Sequence, residues 1–324
     1  MLKKCLVAFV AMGLSGMALA KDYREQSEVQ SFIDEMVAKH GMDRDYLSSM
    51  MGEARYQQSI IDAISRPAEK RLAWYEYRRI FLDSKRINNG REFLKKYQTT
   101  FDRAEQEYGV SRFVVAAIIG VETRYGTYTG NYRVLDALAT LGFDYEPRAK
   151  FFRGQLEEMF LLAKEQNFDV TDMTGSYAGA MGYGQFIPSS YRHYAVDFDG
   201  DHIVDILHNP VDAIGSVANY LAKHGWQRDQ AVVVPAVVTA DLDESILNDS
   251  LNPSRTVAEL AALGFGHEAE GVSDDIKALA VRLRVKNGEE YWLGLKNFYA
   301  ITRYNRSSLY AMAVYQLSQE LGGK

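Results

Sequence analysis

The segment VVAAIIGVETRYG, Val114 to Gly126, joins an unbroken apolar run to an acidic residue. The eight residues 114–121 carry no polar side chain, and Glu122 follows them directly. Apolar residues on every face predict a helix over 111–122 that is buried on most sides. A buried carboxylate is costly to ionise, so the position of Glu122 needs an explanation.

Two interpretations of Glu122 are open at this point. An apolar setting raises the pKa of a carboxyl group, and a raised pKa lets a general acid hold its proton near neutral pH. Alternatively, Glu122 turns to solvent at the helix end, with Gly126 as the C-terminal cap. Taken alone, the segment favours the solvent-facing glutamate.

The first twenty residues, MLKKCLVAFVAMGLSGMALA, have the pattern of a secretory signal peptide. Lys3 and Lys4 precede a short apolar stretch, and a small-residue site predicts cleavage after Ala20. A membrane anchor is the alternative. The only cysteine, Cys5, lies in this segment, so the mature chain has no disulfide or thiol chemistry. We expect an exported, periplasmic protein.

Composition limits the classes of function. Of 324 residues, 47% are hydrophobic, which is enough for a large core. The formal charge is −6, and removal of the signal peptide leaves 35 basic against 43 acidic residues, or −8. An acidic chain argues against a nucleic-acid partner. The sequence also lacks the G-x-S-x-G, H-E-x-x-H and phosphate-loop motifs.

Hydrophobic spacing divides the remaining chain into three parts. Residues 21–225 have helical spacing, punctuated by Gly41 and Gly90. Residues 226–294 contain alternating, β-branched segments and an Asn-Gly turn signal at 287–288, which predict a small β-containing domain. Residues 295–324 return to helix. The fold class is therefore mainly α with a smaller β part (α+β).

The glycine-rich segment GSYAGAMGYGQFIPSSY, 175–191, offers few polar groups that could face a ligand. Its four glycines allow close backbone approach and could open a groove. The polar groups that could contact a ligand there are Ser176, Tyr177, Gln185 and Ser189, and tyrosines beside small residues suit the flat faces of sugar rings. The alternative is a tight packing crossover between helices.

The acidic segment DFDGDHIVD, 197–205, has oxygen ligands at the spacing of a calcium-binding EF-hand loop. Two departures matter: His202 replaces the usual glycine, and His208 stands where a bidentate glutamate is expected. A later acid would have to complete the ligand set. A solvated acidic turn is the alternative. The predicted ligands of a structural Ca²⁺ are Asp197, Asp199, Asp201, the carbonyl of Ile203, and Asp212.

Near the C-terminus, ITRYNRSSLYAMAVYQL places Asn305 before a predicted helix. Asn305 could cap that helix or direct its amide at a ligand, and the cap is favoured.

These segments, together with PVDAIGSVANYLAKHGW and TRYN, resemble the membrane-bound lytic transglycosylase B family over the whole mature chain. The resemblance implies a lysozyme-like catalytic core flanked by a helical domain and a small β-containing domain. It implies cleavage of the β-1,4 bond between N-acetylmuramic acid and N-acetylglucosamine in peptidoglycan. The cleavage uses no water and leaves a 1,6-anhydromuramoyl end.

The resemblance also assigns residues. Glu122 matches the single catalytic acid, and Tyr304 a tyrosine beside it. Arg148 matches one of two neighbouring arginines, the second of which is replaced by Pro147. The four aspartates match the family's calcium loop, and the matching groove residues are Ser176, Gln185 and Asn305.

Many relatives are lipoproteins, but this chain lacks a suitably placed cysteine and resembles soluble members. We expect a monomer that binds peptidoglycan glycan strands, with cell-wall synthesis proteins as candidate partners. The alternatives are a hydrolytic lysozyme-like muramidase and a non-catalytic peptidoglycan-binding protein.

Overall fold

The computed structural model describes residues 22–65 and 72–323, so the predicted signal peptide lies outside the described residues. Within these ranges no helix is both long enough and apolar enough to cross a membrane. The α-helices are α1 Ser27–His40, α2 Arg44–Glu53, α3 Gln58–Ile64, α4 Trp74–Phe81, α5 Ser84–Lys96, α6 Gln98–Tyr108, α7 Arg112–Thr123, α8 Val134–Phe143, α9 Ala149–Gln166, α10 Pro188–Tyr194, α11 Pro210–Lys223, α12 Val257–Ala262, α13 Lys296–Tyr304 and α14 Ser308–Gly322.

The strands form small antiparallel sheets. One sheet has four strands in the order β3-β8-β7-β5, and two further sheets pair β1 with β2 and β4 with β6. The strands are β1 Tyr132–Arg133, β2 Thr174–Gly175, β3 Val233–Pro235, β4 Val237–Val238, β5 Arg255–Thr256, β6 Phe265–Gly266, β7 Lys277–Val285 and β8 Gly288–Gly294.

Helix α7 lies at the centre of the main core. Nine of its twelve residues are buried, and it packs against α5, α6, α11 and α14. The all-round burial follows from its sequence, because valine, alanine and isoleucine cover every face. The predicted buried helix is therefore confirmed. Its C-terminal turn carries Glu122 to the core's edge, where the side chain is half-buried.

Strand β7 separates the main core from a second hydrophobic cluster. Leu279, Val281 and Leu283 pack into the main core, whereas Ala278 and Ala280 belong to the second cluster. This follows from the two-residue period of a strand, which sends successive side chains to opposite faces. The alternation predicted for this segment is thus used on both faces of the sheet.

The β7–β8 hairpin closes at the predicted turn. Val285 pairs with Gly288, which leaves residues 286–287 as a two-residue loop. Gly288 has φ 120°, a value that L side chains rarely adopt. The Asn-Gly signal therefore located the hairpin, but the two-residue loop lies one position before Asn287-Gly288.

The two glycines that punctuate the helical region have different roles. Gly41 ends α1 in the left-handed conformation, as the sequence predicts. Gly90 does not end a helix: it lies inside α5, where a Cβ would stand 2.2 Å from the hydroxyl oxygen of Tyr125. The prediction for Gly90 was wrong because a glycine that allows close packing and one that ends a helix look alike in sequence.

We expect Leu138→Ala to lower the free energy of unfolding by about 2–5 kcal/mol, because it leaves a cavity in the core. Leu138 is fully buried in α8, against the backbone of Gly179 in the glycine-rich segment. Urea denaturation measures the change. The control Ile80→Ala removes a side chain that is 42% exposed and should shift stability by only about 0.5 kcal/mol. Equal losses in both variants would contradict this account of the core.

Candidate active site

Glu122 and Tyr310 form the centre of the site. The Tyr310 hydroxyl donates a hydrogen bond of 2.6 Å to Oε1 of Glu122. The two residues lie 188 positions apart in the chain, one at the end of α7 and the other in the first turn of α14. The packing of α7 on α14 brings them together.

Two tyrosines near Glu122 keep their phenolic protons. Burial, and then the negative charge of Glu122, raises the pKa of Tyr304 and of Tyr310 well above the usual value. The rings stack with centroids 6.5 Å apart and an interplanar angle of 10°. Because Tyr310 stays protonated, it acts as a donor to the carboxylate.

Tyr304 holds the glycine-rich segment rather than the carboxylate. Its hydroxyl donates to the carbonyl oxygen of Gly184, and its ring packs edge-on against Phe186. The resemblance implied a tyrosine beside the catalytic carboxyl. The charge of Glu122 does raise the pKa of Tyr304, and the hydroxyl of Tyr310 donates a hydrogen bond to Glu122.

The end of α7 differs from the solvent-facing alternative. Arg124, with φ 50°, is the left-handed C-terminal cap, so Gly126 does not have that role. The Thr123 hydroxyl donates to the carbonyl of Tyr183 and accepts from the amide of Gly126. The bond from Thr123 to Tyr183 joins the backbone directly after Glu122 to the glycine-rich segment.

The glycine-rich segment is a folded loop that lies across the end of α7. Gln185, which has φ 50°, donates from Nε2 to the carbonyl of Thr129 at 2.9 Å. At Ser176, Oγ accepts the amides of Ala178 and Ala180 and leaves its own proton for another partner. Tyr177 is half-buried and packs on the main core. Ser176 and Gln185 thus both hydrogen-bond to backbone groups of the loop and its surroundings.

Gly182 explains part of the glycine content of this loop. It has φ 68°, and a Cβ there would stand 2.2 Å from the carbonyl oxygen of Ile206. The close contact joins the glycine-rich loop to the residues that follow the acidic segment, so any larger residue at 182 would separate them.

Asn305 and Arg148 occupy different surroundings. Asn305 ends α13 in an extended conformation, and its carbonyl accepts the amide of Ser307. Ser307, not Asn305, caps α14, so the favoured cap interpretation was wrong. The serine lies one residue before the helix, the position from which a hydroxyl reaches the first-turn amides. Arg148 is exposed, and its guanidinium lies 4.3 Å from the ring centroid of Phe151.

The acidic segment brings three carboxylates together. One oxygen each from Asp197, Asp199 and Asp212 lie within 4.8 Å of one another. Asp201 is outside this group: its carboxylate accepts the amide of Ile203, whose side chain is 49% exposed. His202 takes the left-handed conformation with φ 72°, so the loop makes its turn despite lacking the expected glycine.

Asp212 is the buried member of the group. Burial, reinforced by repulsion from Asp199, raises its pKa, although it accepts the amides of Phe198, Asp199 and Asp205. A buried carboxylate beside a second carboxylate favours a bound cation, and oxygen donors suit calcium. The donor chemistry of these residues therefore fits Ca²⁺.

Sequence reasoning missed Tyr310. A signal was present, because Tyr310 is a phenol inside the buried run of α14 and only 2% exposed. A buried hydroxyl needs a partner. The sequence could not identify Glu122 as that partner, because α7 and α14 lie far apart in the chain and local patterns do not show that they pack together.

Comparison with known proteins places this geometry in a family. Residues 24–319 match the family described as the transglycosylase SLT domain. The chain is 42% identical over 312 residues to membrane-bound lytic murein transglycosylase B of Escherichia coli (strain K12), an alignment that covers 94% of this chain and 85% of that protein.

Solved structures agree. Catenated lytic transglycosylase SltB1 of Pseudomonas aeruginosa superposes with a TM-score of 0.90 and 49% identity, covering 93% of this chain and 99% of that one. Escherichia coli Slt35 in complex with calcium superposes with a TM-score of 0.85 and 43% identity, covering 94% of this chain and 95% of that one. Pseudomonas aeruginosa SltB3 in complex with NAG-anhNAM-pentapeptide superposes with a TM-score of 0.80 and 30% identity, covering 91% of this chain and 79% of that one.

These matches extend over nearly the whole described chain and confirm the mainly α, lysozyme-like fold. The sequence identity, which reaches 49%, is higher than proteins that share only a fold would show. The chain belongs to the transglycosylase SLT family of lytic murein transglycosylases, enzymes that cleave peptidoglycan.

Proposed function

We propose that Glu122 is the single general acid and base of a peptidoglycan lytic transglycosylase. The bond cleaved is the β-1,4 linkage between N-acetylmuramic acid and N-acetylglucosamine, and the product carries a 1,6-anhydromuramoyl end. The observation that carries the proposal is the half-buried Glu122 carboxylate, held by the buried Tyr310 hydroxyl at the end of the core helix.

The reaction proceeds in two steps, and neither step consumes water. Protonated Glu122 gives its proton to the glycosidic oxygen as the bond to C1 breaks. The oxygen of the substrate's own N-acetyl group bonds to C1 and forms an oxazolinium. The Glu122 carboxylate then removes the proton of the C6 hydroxyl, whose oxygen attacks C1 and displaces the acetamido oxygen. Proximity makes this closure effectively unimolecular.

One carboxylate is sufficient for this chemistry. Most glycosidases need a second carboxylate as nucleophile or base, but here the substrate's N-acetyl and C6 hydroxyl groups replace it. A hydrolytic muramidase, the nearest alternative, would require a positioned water.

The proposed substrate contacts come from the loop across the end of α7 and from the surrounding surface. Ser176, Tyr177 and Gln185 would contact the sugars from the loop, and Tyr304 would fix the loop through Gly184. Asn305 would reach the groove from between α13 and α14. Arg148 would meet the glycan or peptide with its exposed guanidinium.

We expect Glu122→Gln to reduce the release of anhydro-muropeptides from sacculi by roughly 10²- to 10⁴-fold, the usual contribution of a general acid or base. Mass spectrometry identifies the anhydro product, which is lighter than the hydrolytic product by one water. The control Glu92→Gln makes the same change at an exposed position of α5 and should retain activity.

Hydrolytic products from the unmodified protein would instead support a muramidase. Tight binding without any product would support a binding protein. Substantial turnover by Glu122→Gln, with its thermal midpoint unchanged, would remove Glu122 from the catalytic role.

We expect Tyr310→Phe to lower kcat/KM by about 10- to 100-fold, because a hydrogen bond to a charged group contributes about 1.5–3 kcal/mol. The ionised carboxylate loses a donor, so protonated Glu122 persists further and the alkaline limb of the pH–rate profile moves to higher pH. Tyr315→Phe removes a hydroxyl from the same helix beside Val114, at the other end of α7, and should change neither quantity. An unmoved limb in Tyr310→Phe would contradict this role.

We propose that the acidic segment binds a structural Ca²⁺. Asp197, Asp199 and Asp212 would supply carboxylate oxygens, with Asp201 and the carbonyl of Ile203 as further ligands. The support is the convergence of three carboxylates and the burial of Asp212. The ion would offset repulsion between the acids, and nothing in the proposed chemistry routes through it.

We expect millimolar calcium to raise the thermal midpoint and a chelator to reverse the effect. A ligand at a hundredfold excess over its Kd stabilises the folded state by about 2.7 kcal/mol. Asp199→Asn should abolish the response, whereas Asp45→Asn, an exposed aspartate of α2, should keep it. An unchanged midpoint of the unmodified protein in calcium would exclude the site.

We also propose a periplasmic location, with the leader cleaved after Ala20, and a mature monomer that binds glycan strands. The domain limits proposed are 21–225 for the helical domain and catalytic core, 226–294 for the β-containing domain, and 295–324 for the helices that return to the core. The support for the second limit is the separate hydrophobic cluster formed within 234–295.

A further inference from the structure

A small basic cavity lies beside the end of α7. It has a volume of about 40 Å³, which is room for a carboxylate group or a few waters. Three cationic side chains and no carboxylate line it. The lining residues are Lys85, Arg86, Asn89, Arg124, Thr127 and Tyr128.

Arg86 is the unusual member of this set. The residue is only 4% exposed, and its Nε is buried without a hydrogen-bond partner. Its Nη1 donates to the carbonyl of Ile80, and its main-chain amide donates to the Asp83 carboxylate. Arginine is almost never buried unless it is paired, and the guanidinium of Arg86, which lies 5.1 Å from the ring centroid of Phe81, keeps one donor that the protein leaves unsatisfied.

The charges around Arg86 also favour a bound anion. Burial, and then repulsion from Arg124, lowers the pKa of Arg86, while Asp83 and Tyr125 act in the opposite direction. Asp83 is already engaged as the N-terminal cap of α5. A bound anion in the cavity would relieve the repulsion between Arg86 and Arg124.

The cavity adjoins the proposed catalytic site. Arg124 caps α7 two residues after Glu122, and its guanidinium lies 5.7 Å from the ring centroid of Tyr128. Tyr128 is 65% exposed and precedes Thr129, whose carbonyl accepts the Gln185 amide. A substrate lying against the glycine-rich loop would therefore pass next to the cavity.

We propose that this cavity binds a carboxylate of the peptide stem carried by the peptidoglycan strand. The inference rests on the proposed function, since it needs the strand to lie along Glu122 and Gln185. A guanidinium pairs with a carboxylate through parallel hydrogen bonds. The protein as a whole is acidic, with a formal charge of −6, so attraction of an acidic stem requires a local basic site such as this one.

Binding to an inactive protein tests the proposal without turnover. In the Glu122→Gln background, Kd is measured at low ionic strength for short glycan fragments with intact peptide stems and for the same fragments stripped by an amidase. The stripped fragments keep the lactyl carboxylate of the sugar, so they separate the two sources of a carboxylate. Unmodified protein is assayed in parallel for anhydro product, which tests the proposed function separately.

The double variant Lys85→Gln/Arg124→Gln should weaken binding of the peptide-bearing fragments by about fivefold or more. Binding of the stripped fragments should not change. Lys85→Arg with native Arg124 should retain affinity for both fragments. The control Lys95→Gln removes an exposed charge from the far end of the same helix and should leave both Kd values unchanged.

An equal loss with stripped fragments would overturn the assignment to the peptide and indicate the lactyl carboxylate. No loss with either fragment, with the thermal midpoint unchanged, would overturn the carboxylate site altogether. Absence of anhydro product from the unmodified protein would instead count against the proposed function, whatever the two Kd values show.

Discussion

The hydrogen bond between Tyr310 and Glu122 is the contact on which the site depends. It joins the last turn of α7 to the first turn of α14, across 188 positions of sequence. A buried phenol needs an acceptor, and a carboxylate at the edge of an apolar helix needs a donor. Each residue satisfies the other, so the packing of these two helices fixes the orientation of the carboxylate.

The remainder of the site is attached through backbone groups. Thr123 and Tyr304 bond to carbonyls of residues 183 and 184, and Gln185 bonds to that of Thr129. Because main-chain groups make these contacts, the loop does not need large side chains at these positions. The glycine content is therefore a requirement of close approach, as the contact of Gly182 with Ile206 illustrates.

The sequence predicted those features that depend on local pattern. Three features could be predicted from a few neighbouring residues. They are the apolar run of α7, the two-residue period of β7 and the Asn-Gly turn. The sequence did not reveal the role of Tyr310, whose partner Glu122 lies 188 positions away in the chain, or the unpaired Nε of Arg86, which depends on the folded surroundings of that side chain. Ser307 rather than Asn305 caps α14, because two polar residues two positions apart could each cap the helix and the backbone conformation decides between them.

The burial of β7 on both faces affects how the protein unfolds. Leu279, Val281 and Leu283 belong to the main core, and Ala278 and Ala280 belong to the second cluster. Loss of either cluster would expose one whole face of the strand, so neither can melt without weakening the other. The amides of β7 should therefore exchange with solvent only through openings that involve both clusters, as a single cooperative unit.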